Sequence, residues 1–470
     1  MRRLPLLLLV LAACGDDSAR RISDAPAGPH DSPPLIDTPA QALPVLVSVT
    51  FPDGTPVPDV KVYFQNADSS VVGEAPLDAS GNARQVMNPG GYATAVVPNV
   101  LIAGFGGVAS MQYTVATWAG VKPGDHLILT PPAGGGSIQT TITIPLDALH
   151  AGVTQYLVEG TCTGGPEYIP PPSGSGATNV SATLYFINGC TAADMFVAAL
   201  DSNYNPISSF SVPAQPVTAG VPIDYSAQTY AAATTRTFTF NNFTSGFTIG
   251  VSDHVLTGRG ELYQGNAVGA SAENPATATI VVPAPVAGSL DVVRAEQSSS
   301  NTYRNFIEWG TTGAYTTDWS ADLLPDFATA PSLDTGTHII SWTTTGGTLT
   351  PDFSAATVLA NRQLPTPIQW QWGIVAPSGT QLAYPTLPTD IADLNVGADD
   401  SYNLFGTPVR IAKVPGGYDA ARGAFFSTFE PIPTGATGTA AWNDYQLPST
   451  AVAKQKPAKS GVMRRWIRPR

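Results

Sequence analysis

Ser252-Asp253-His254 brings together a hydroxyl, a carboxylate and an imidazole, the three groups of a nucleophilic relay. The spacing argues against that chemistry. Adjacent side chains on an extended chain point to opposite faces, so three consecutive residues do not converge. The segment reads instead as a strand end entering a turn. The five histidines are His30, His126, His150, His254 and His338. None opens a His-x-x-Glu or His-Glu-x-x-His pattern, which excludes the zinc-carboxypeptidase and zincin ligand sets. There is no Gly-x-Ser-x-Gly elbow, no Gly-x-x-x-x-Gly-Lys phosphate loop and no Asp-x-Asp-x-Asp-Gly calcium loop. Asp53, Asp59 and Asp78 could meet around a cation at one end of a β domain. Each also sits in a turn signal, where an aspartate bonds its own backbone. The expectation is a protein without catalytic unit, metal site or cofactor.

The tryptophans offer a different chemistry. In Ile368-Gln369-Trp370-Gln371-Trp372-Gly373-Ile374 the residues Ile368, Trp370, Trp372 and Ile374 share one face of a strand. Trp370 and Trp372, with Gln369 and Gln371 beside them, are candidates for a sugar-stacking platform. The same alternation suits two indoles buried in a core, where large aromatics concentrate. Exposure separates the two readings. A sugar hydrolase would add a carboxylate pair about 5–5.5 Å or about 6.5–9.5 Å apart.

The elements that must position such residues are strands. Val45, Val47 and Val49 alternate with Leu46, Ser48 and Thr50, and Val60, Val62 and Phe64 form a second alternating run. Tyr113, Val115 and Thr117 alternate with Thr114, Ala116 and Trp118. Pro52-Asp53-Gly54-Thr55-Pro56, Asp78-Ala79-Ser80-Gly81 and Lys122-Pro123-Gly124-Asp125 punctuate them as turns. Further strands are expected at 182–187, 195–200, 237–240 and 247–251. Gly and Pro number 45 and 43, together well above the usual ~12%. Charged residues are 12% of the chain, about half the usual share. Few segments show a helical period. The fold class expected is all-β, with two or three β-sandwich domains in series.

Charge is unevenly spread. Seven basic and no acidic residues lie between Lys454 and Arg470, although the chain as a whole carries −13. Only Lys61, Lys122 and Lys413 are lysines outside that tail. An acidic body excludes nucleic acid as a partner, since phosphate binding needs many basic contacts. The tail reads as a solvated end, or as a contact with anionic envelope material through Trp466 and Ile467.

Two resemblances extend this reading. Arg2 and Arg3, the apolar run Leu4 to Ala13, and Leu11-Ala12-Ala13-Cys14-Gly15 resemble a bacterial lipoprotein signal with its lipobox. The run is too short to span a bilayer as a helix. The resemblance implies removal of residues 1–13, lipid on Cys14 and a membrane as partner. Gly15 after the cysteine implies the outer membrane. With Cys14 consumed by lipid, Cys162 and Cys190 are an even pair in an oxidising compartment, and a disulfide is expected. Residues 14–44, with Pro26, Pro29, Pro33, Pro34 and Pro39, read as an extended tether.

Asp53-Gly54-Thr55-Pro56-Val57-Pro58, Val60, Val62, Asp78-Ala79-Ser80-Gly81 and Gly91-Tyr92 resemble the carboxypeptidase regulatory-like domain, a transthyretin-like sandwich. Bacterial Ig-like domains of invasin-type adhesins share the pattern. The match covers 50 to 100 residues, departs at Asp59 where Gly is usual, and brings no catalytic residue. The expected order is a signal (1–13), a tether (14–44), a first sandwich (45–145), a second with Cys162–Cys190 (146–285), a Trp-rich β domain (286–450) and a basic tail (451–470). The function expected is non-enzymatic: a binding, adhesion or structural module of the envelope, facing a surface glycan or an envelope protein. A carbohydrate-binding or carbohydrate-processing surface protein and a periplasmic sensor or assembly factor are the alternatives.

Overall fold

The alternation at Val45, Val47 and Val49 becomes the strand Val45–Val49, in which those three valines are buried and the residues between them half-buried. The computed structural model describes residues 43–445 except 52–53, 104–108, 132–136, 174–175, 188–189, 243–248, 266–267, 270–273, 299–301, 311–314, 319–323, 363–367, 398–399, 404–408 and 424–436. Cys14, Asp53, the signal, nearly all of the tether and the basic tail lie outside the described residues. The fold is all-β, as expected. Helical structure among the described residues is limited to the 3-10 segment Thr389–Leu394 and the short helix Gly417–Arg422. No described helix is long and apolar enough to cross a membrane.

Turn chemistry acts where the sequence signals it. Asp78 Oδ1 accepts from the backbone N–H groups of Ser80 and Asn82 at 2.8 and 3.0 Å, and Gly81 takes φ +76°. That conformation carries no steric cost only for glycine. Gly91 has a different reason to be glycine. A Cβ there would lie 2.2 Å from the Gln65 carbonyl oxygen of the paired strand.

The largest element is a 14-stranded sheet. Its order runs from the edge strand Gly260–Gln264 through Ile249–Thr257, Leu290–Ser298, Thr302–Trp309, Gly438–Tyr445, Val409–Lys413, Phe353–Arg362 and Ile368–Pro377. It continues through Ala109–Val121, Gly91–Ala103 and Lys61–Gln65 to Val71–Pro76, twelve strands in all; Val268–Gly269 and Ser401–Asn403 join off this path, on Ile249–Thr257 and Phe353–Arg362. Ile368–Pro377 pairs in parallel with Ala109–Val121, with Trp372 opposite Val115. All other neighbours in this path are antiparallel. Because this sheet is covered on both sides, its central strands are buried on both faces. Ala116 and Trp118 enter one core, and Val115 and Ala119 another.

The first of these cores holds Phe64, Trp118, Trp309 and Trp442 beneath a small sheet of Asn82–Gln85, Val45–Val49 and His126–Leu129. The other face carries Trp370, Trp372, Ile340 and Leu382 towards one end, and Phe238, Phe240, Val251 and Ala278 towards the other. A separate pair of sheets encloses Ile142, Phe186, Val197 and Phe210. One has five strands, with Gln155–Gly160, Ala192–Leu200 and Pro206–Pro216 at its centre. The other joins Ser137–Pro145 to Asn179–Ile187 and Ile223–Asp224. Cys162 and Cys190 are disulfide-bonded in this unit, with Cα atoms 6.3 Å apart.

The sheets do not respect the boundaries expected at 145/146 and 285/286. Ser137–Pro145 pairs with Asn179–Ile187, and Ile249–Thr257 pairs with Leu290–Ser298. Strands from the first and third sequence regions share one ladder. Periodicity identifies a strand and its faces but carries no information on a partner hundreds of residues away.

Candidate functional site

Trp370 and Trp372 are 1% and 0% exposed, so neither indole can stack on a sugar. Trp372 donates its Nε1–H to Thr117 Oγ1 at 2.9 Å and packs edge-on against Tyr384 at 4.9 Å. Arg362 lies over the Trp370 ring at 5.5 Å and is bound bidentately by Asp400, at 2.7 Å for each contact. The sugar platform expected there is corrected. Both indoles lie in one hydrophobic core, which leaves core packing as the role of these residues.

The residues that converge are Ser252, His254 and Glu261. Ser252 and His254 are two apart on the strand Ile249–Thr257 and therefore share a face. Ser252 Oγ lies 2.9 Å from His254 Nε2. His254 Nδ1 lies 2.6 Å from Glu261 Oε1. A carboxylate only accepts, so a neutral imidazole donates its Nδ1–H to Glu261 and accepts the Ser252 hydroxyl proton at Nε2. The order hydroxyl, imidazole, carboxylate is a chain of two hydrogen bonds, recognised by geometry and not by sequence position.

A β-bulge supplies the carboxylate. Val255 pairs with Tyr263, but Leu256 pairs with Glu261, so Leu262 is the extra residue. Without that slip Glu261 would stand on the opposite face from His254. Bulges re-aim side chains in this way. Gly260–Gln264 is the edge strand of the large sheet, and the Glu261 side chain is 23% exposed. Ser252 and His254 are 7% and 8% exposed.

Asp253 is excluded from this group, as the sequence requires. It faces the other side, where its Oδ1 accepts from Arg236 Nη1 at 3.2 Å. Burial pushes its carboxyl up to about 7, against the pull of Arg236 and with a further push from Asp291. On the relay's own face, Arg294 is the register partner of Ser252. Its guanidinium donates to Asn305 Oδ1 at 2.9 and 3.2 Å and to Glu296 Oε2 at 3.2 Å, and lies over Trp442 at 5.5 Å. Arg410 approaches the same indole at 5.2 Å and is held by Asp444 at 2.6 and 2.8 Å.

Sequence reasoning found the hydroxyl and the imidazole but not Glu261. The available signal was the two-residue spacing of Ser252 and His254 ahead of the turn at Gly258 and Gly260. The bulge has no sequence signature. Among the described residues no group of three or more His, Cys, Asp or Glu side chains could hold a metal ion. Asp78 serves its own turn, and Asp59 adopts φ +59°.

No protein-family model matches the chain. No curated protein matches it. Among solved structures, the Bacillus anthracis TIE protein aligns at 9% identity over 59% of this chain and 49% of its own, with a TM-score of 0.14. The chain thus spans about half the length of that protein. A putative adhesin from Bacteroides ovatus aligns at 11% identity over 39% of this chain and 93% of its own, also with a TM-score of 0.14. At that score neither likeness bears on function.

Proposed function

We propose that this chain is a lipid-anchored protein of the bacterial outer membrane whose β body binds or braces envelope partners. The anchor is Cys14 in Leu11-Ala12-Ala13-Cys14, and the Pro-rich tether provides reach. The observation that carries the binding or structural reading is how the body spends its charge. Ion pairs tie together segments far apart in sequence. Lys61 and Tyr63 both donate to Asp390 Oδ2, at 3.0 and 2.5 Å, across more than 300 positions. Arg422 pairs with Asp125, and Arg259 reaches Asp194 at 2.8 Å. Such cross-links suit a body that holds one shape.

A glycan is a second reading for the partner, on aromatics other than the tryptophans. Tyr168 and Tyr204 are 45% and 49% exposed and meet edge-to-face at 5.7 Å. Exposed tyrosine rings offer an apolar face with a polar tip.

The test is proteinase accessibility on intact cells, with an epitope tag after Arg470 and a periplasmic control. Degradation in unbroken cells supports surface binding, with a glycan array as the next step. Protection until the outer membrane is opened supports an envelope-bracing role instead. Recovery of the wild-type chain in the soluble fraction contradicts the anchored reading.

A further inference from the structure

The relay on the edge hairpin goes beyond a binding or bracing role. We infer that Ser252 is the nucleophile of an acyl-transfer site, with His254 as its base and Glu261 as the positioning carboxylate, acting on small acyl esters. The two contacts that such chemistry requires are both present and in the right order, Oγ to Nε2 at 2.9 Å and Nδ1 to Oε1 at 2.6 Å. A serine is a weak nucleophile until an adjacent base accepts its proton. His254 becomes that base only if its Nδ1 is committed elsewhere, and the bulge delivers Glu261 for this purpose. Were Glu261 on the other face, His254 would be free to turn and the pair would be an ordinary buried hydrogen bond.

Ser252 is only 7% exposed, so the smallest acyl esters are the substrates to test. The relay lies on the first two strands of the sheet's path, and its Glu261 side chain is 23% exposed. Arg294, the register partner of Ser252, shares its face, and its guanidinium is engaged by Asn305, Glu296 and the Trp442 ring.

The reaction balances with water alone as co-reactant. As the bond from Ser252 Oγ to the ester carbonyl carbon forms, the hydroxyl proton passes to His254 Nε2. The carbon–oxygen bond to the leaving alcohol then breaks, and that proton goes to the departing alkoxide. Water adds to the acyl-serine, giving its proton to Nε2. The carbon–Oγ bond breaks, the carboxylic acid leaves, and the proton returns to Ser252.

The experiment treats the full chain, extracted in detergent, with a fluorophosphonate probe and with p-nitrophenyl acetate, and locates the label by peptide mass. The expected result is a label on Ser252, with ester hydrolysis that Ser252→Ala abolishes and His254→Gln lowers by about 10²-fold or more. Ser252→Cys, close in shape, should lose the fluorophosphonate label and gain iodoacetamide reactivity while keeping the wild-type circular dichroism. Glu261→Gln should displace the pH profile of hydrolysis, and Glu261→Asp should restore part of it; a merely structural carboxylate would leave the profile unmoved. An unlabelled Ser252 in the folded wild-type chain, under conditions that fully label a reference serine hydrolase, overturns the inference. So does hydrolysis that survives in Ser252→Ala at the wild-type rate.

Discussion

Trp372 donates its indole N–H to Thr117 Oγ1 at 2.9 Å, across 255 positions of sequence. Thr117 in turn shares a hydrogen bond with Thr94 Oγ1 at 2.9 Å. The bond sits at the parallel join between Ile368–Pro377 and Ala109–Val121, where the first sequence region meets the third.

Thr117→Val keeps the shape but removes the oxygen. It leaves the buried Trp372 Nε1–H without its acceptor and Thr94 without its partner. The expected loss is about 1–3 kcal/mol, read as a lower denaturant midpoint with an unchanged slope. An unaltered midpoint would show that the join does not depend on this bond.

Trp370 fills the core beside that join. Trp370→Ala should cost about 3–5 kcal/mol through the cavity it leaves, measured by equilibrium unfolding. Binding to any glycan that the wild type recognises should survive wherever the variant remains folded. Selective loss of glycan binding at full stability would return this residue to the surface role the sequence allowed.

The bond between Cys162 and Cys190 closes a loop with a sequence separation of 28. In the chain-entropy account it stabilises the fold by roughly 3–4 kcal/mol. The double Cys162→Ser, Cys190→Ser variant should unfold correspondingly earlier, and neither thiol in the wild type should be alkylated without reductant. Prompt alkylation of both would show a free pair.

The Tyr63 hydroxyl, and after it Lys61, hold the Asp390 carboxyl below its usual value. A carboxylate depressed in the folded state adds stability above the unfolded value, and this is lost as pH falls through the folded one. The wild type should therefore lose thermal stability below about pH 4 more steeply than Asp390→Asn. The Lys61 and Asp390 side chains are 48% and 41% exposed, so the difference will be small. Parallel slopes for the two chains would remove Asp390 from the acid response.

Much of the local structure is legible in the sequence. The valines of Val45–Val49, the Asp78 turn and the cysteine pair follow from alternation, from side-chain-to-backbone bonding and from cysteine count. Whether Trp370 faced core or solvent was open, because alternation reports that a strand has two faces but not what covers each. The join of Trp372 to Thr117 was not legible, since strand periodicity is the same whichever strand lies alongside. Glu261 was hidden for a related reason. Its position opposite Leu256 depends on one unpaired residue, Leu262, and a register slip moves a side chain to the other face without changing composition or period.

The most direct test of the anchored-envelope account is the mass of the N-terminal peptide released from purified membranes of cells producing the wild-type chain. The account predicts a peptide that begins at Cys14 and carries a diacylglyceryl thioether, absent when Cys14 is replaced by Ser. A peptide that begins elsewhere, or that contains Cys14 as an unmodified thiol, would contradict it.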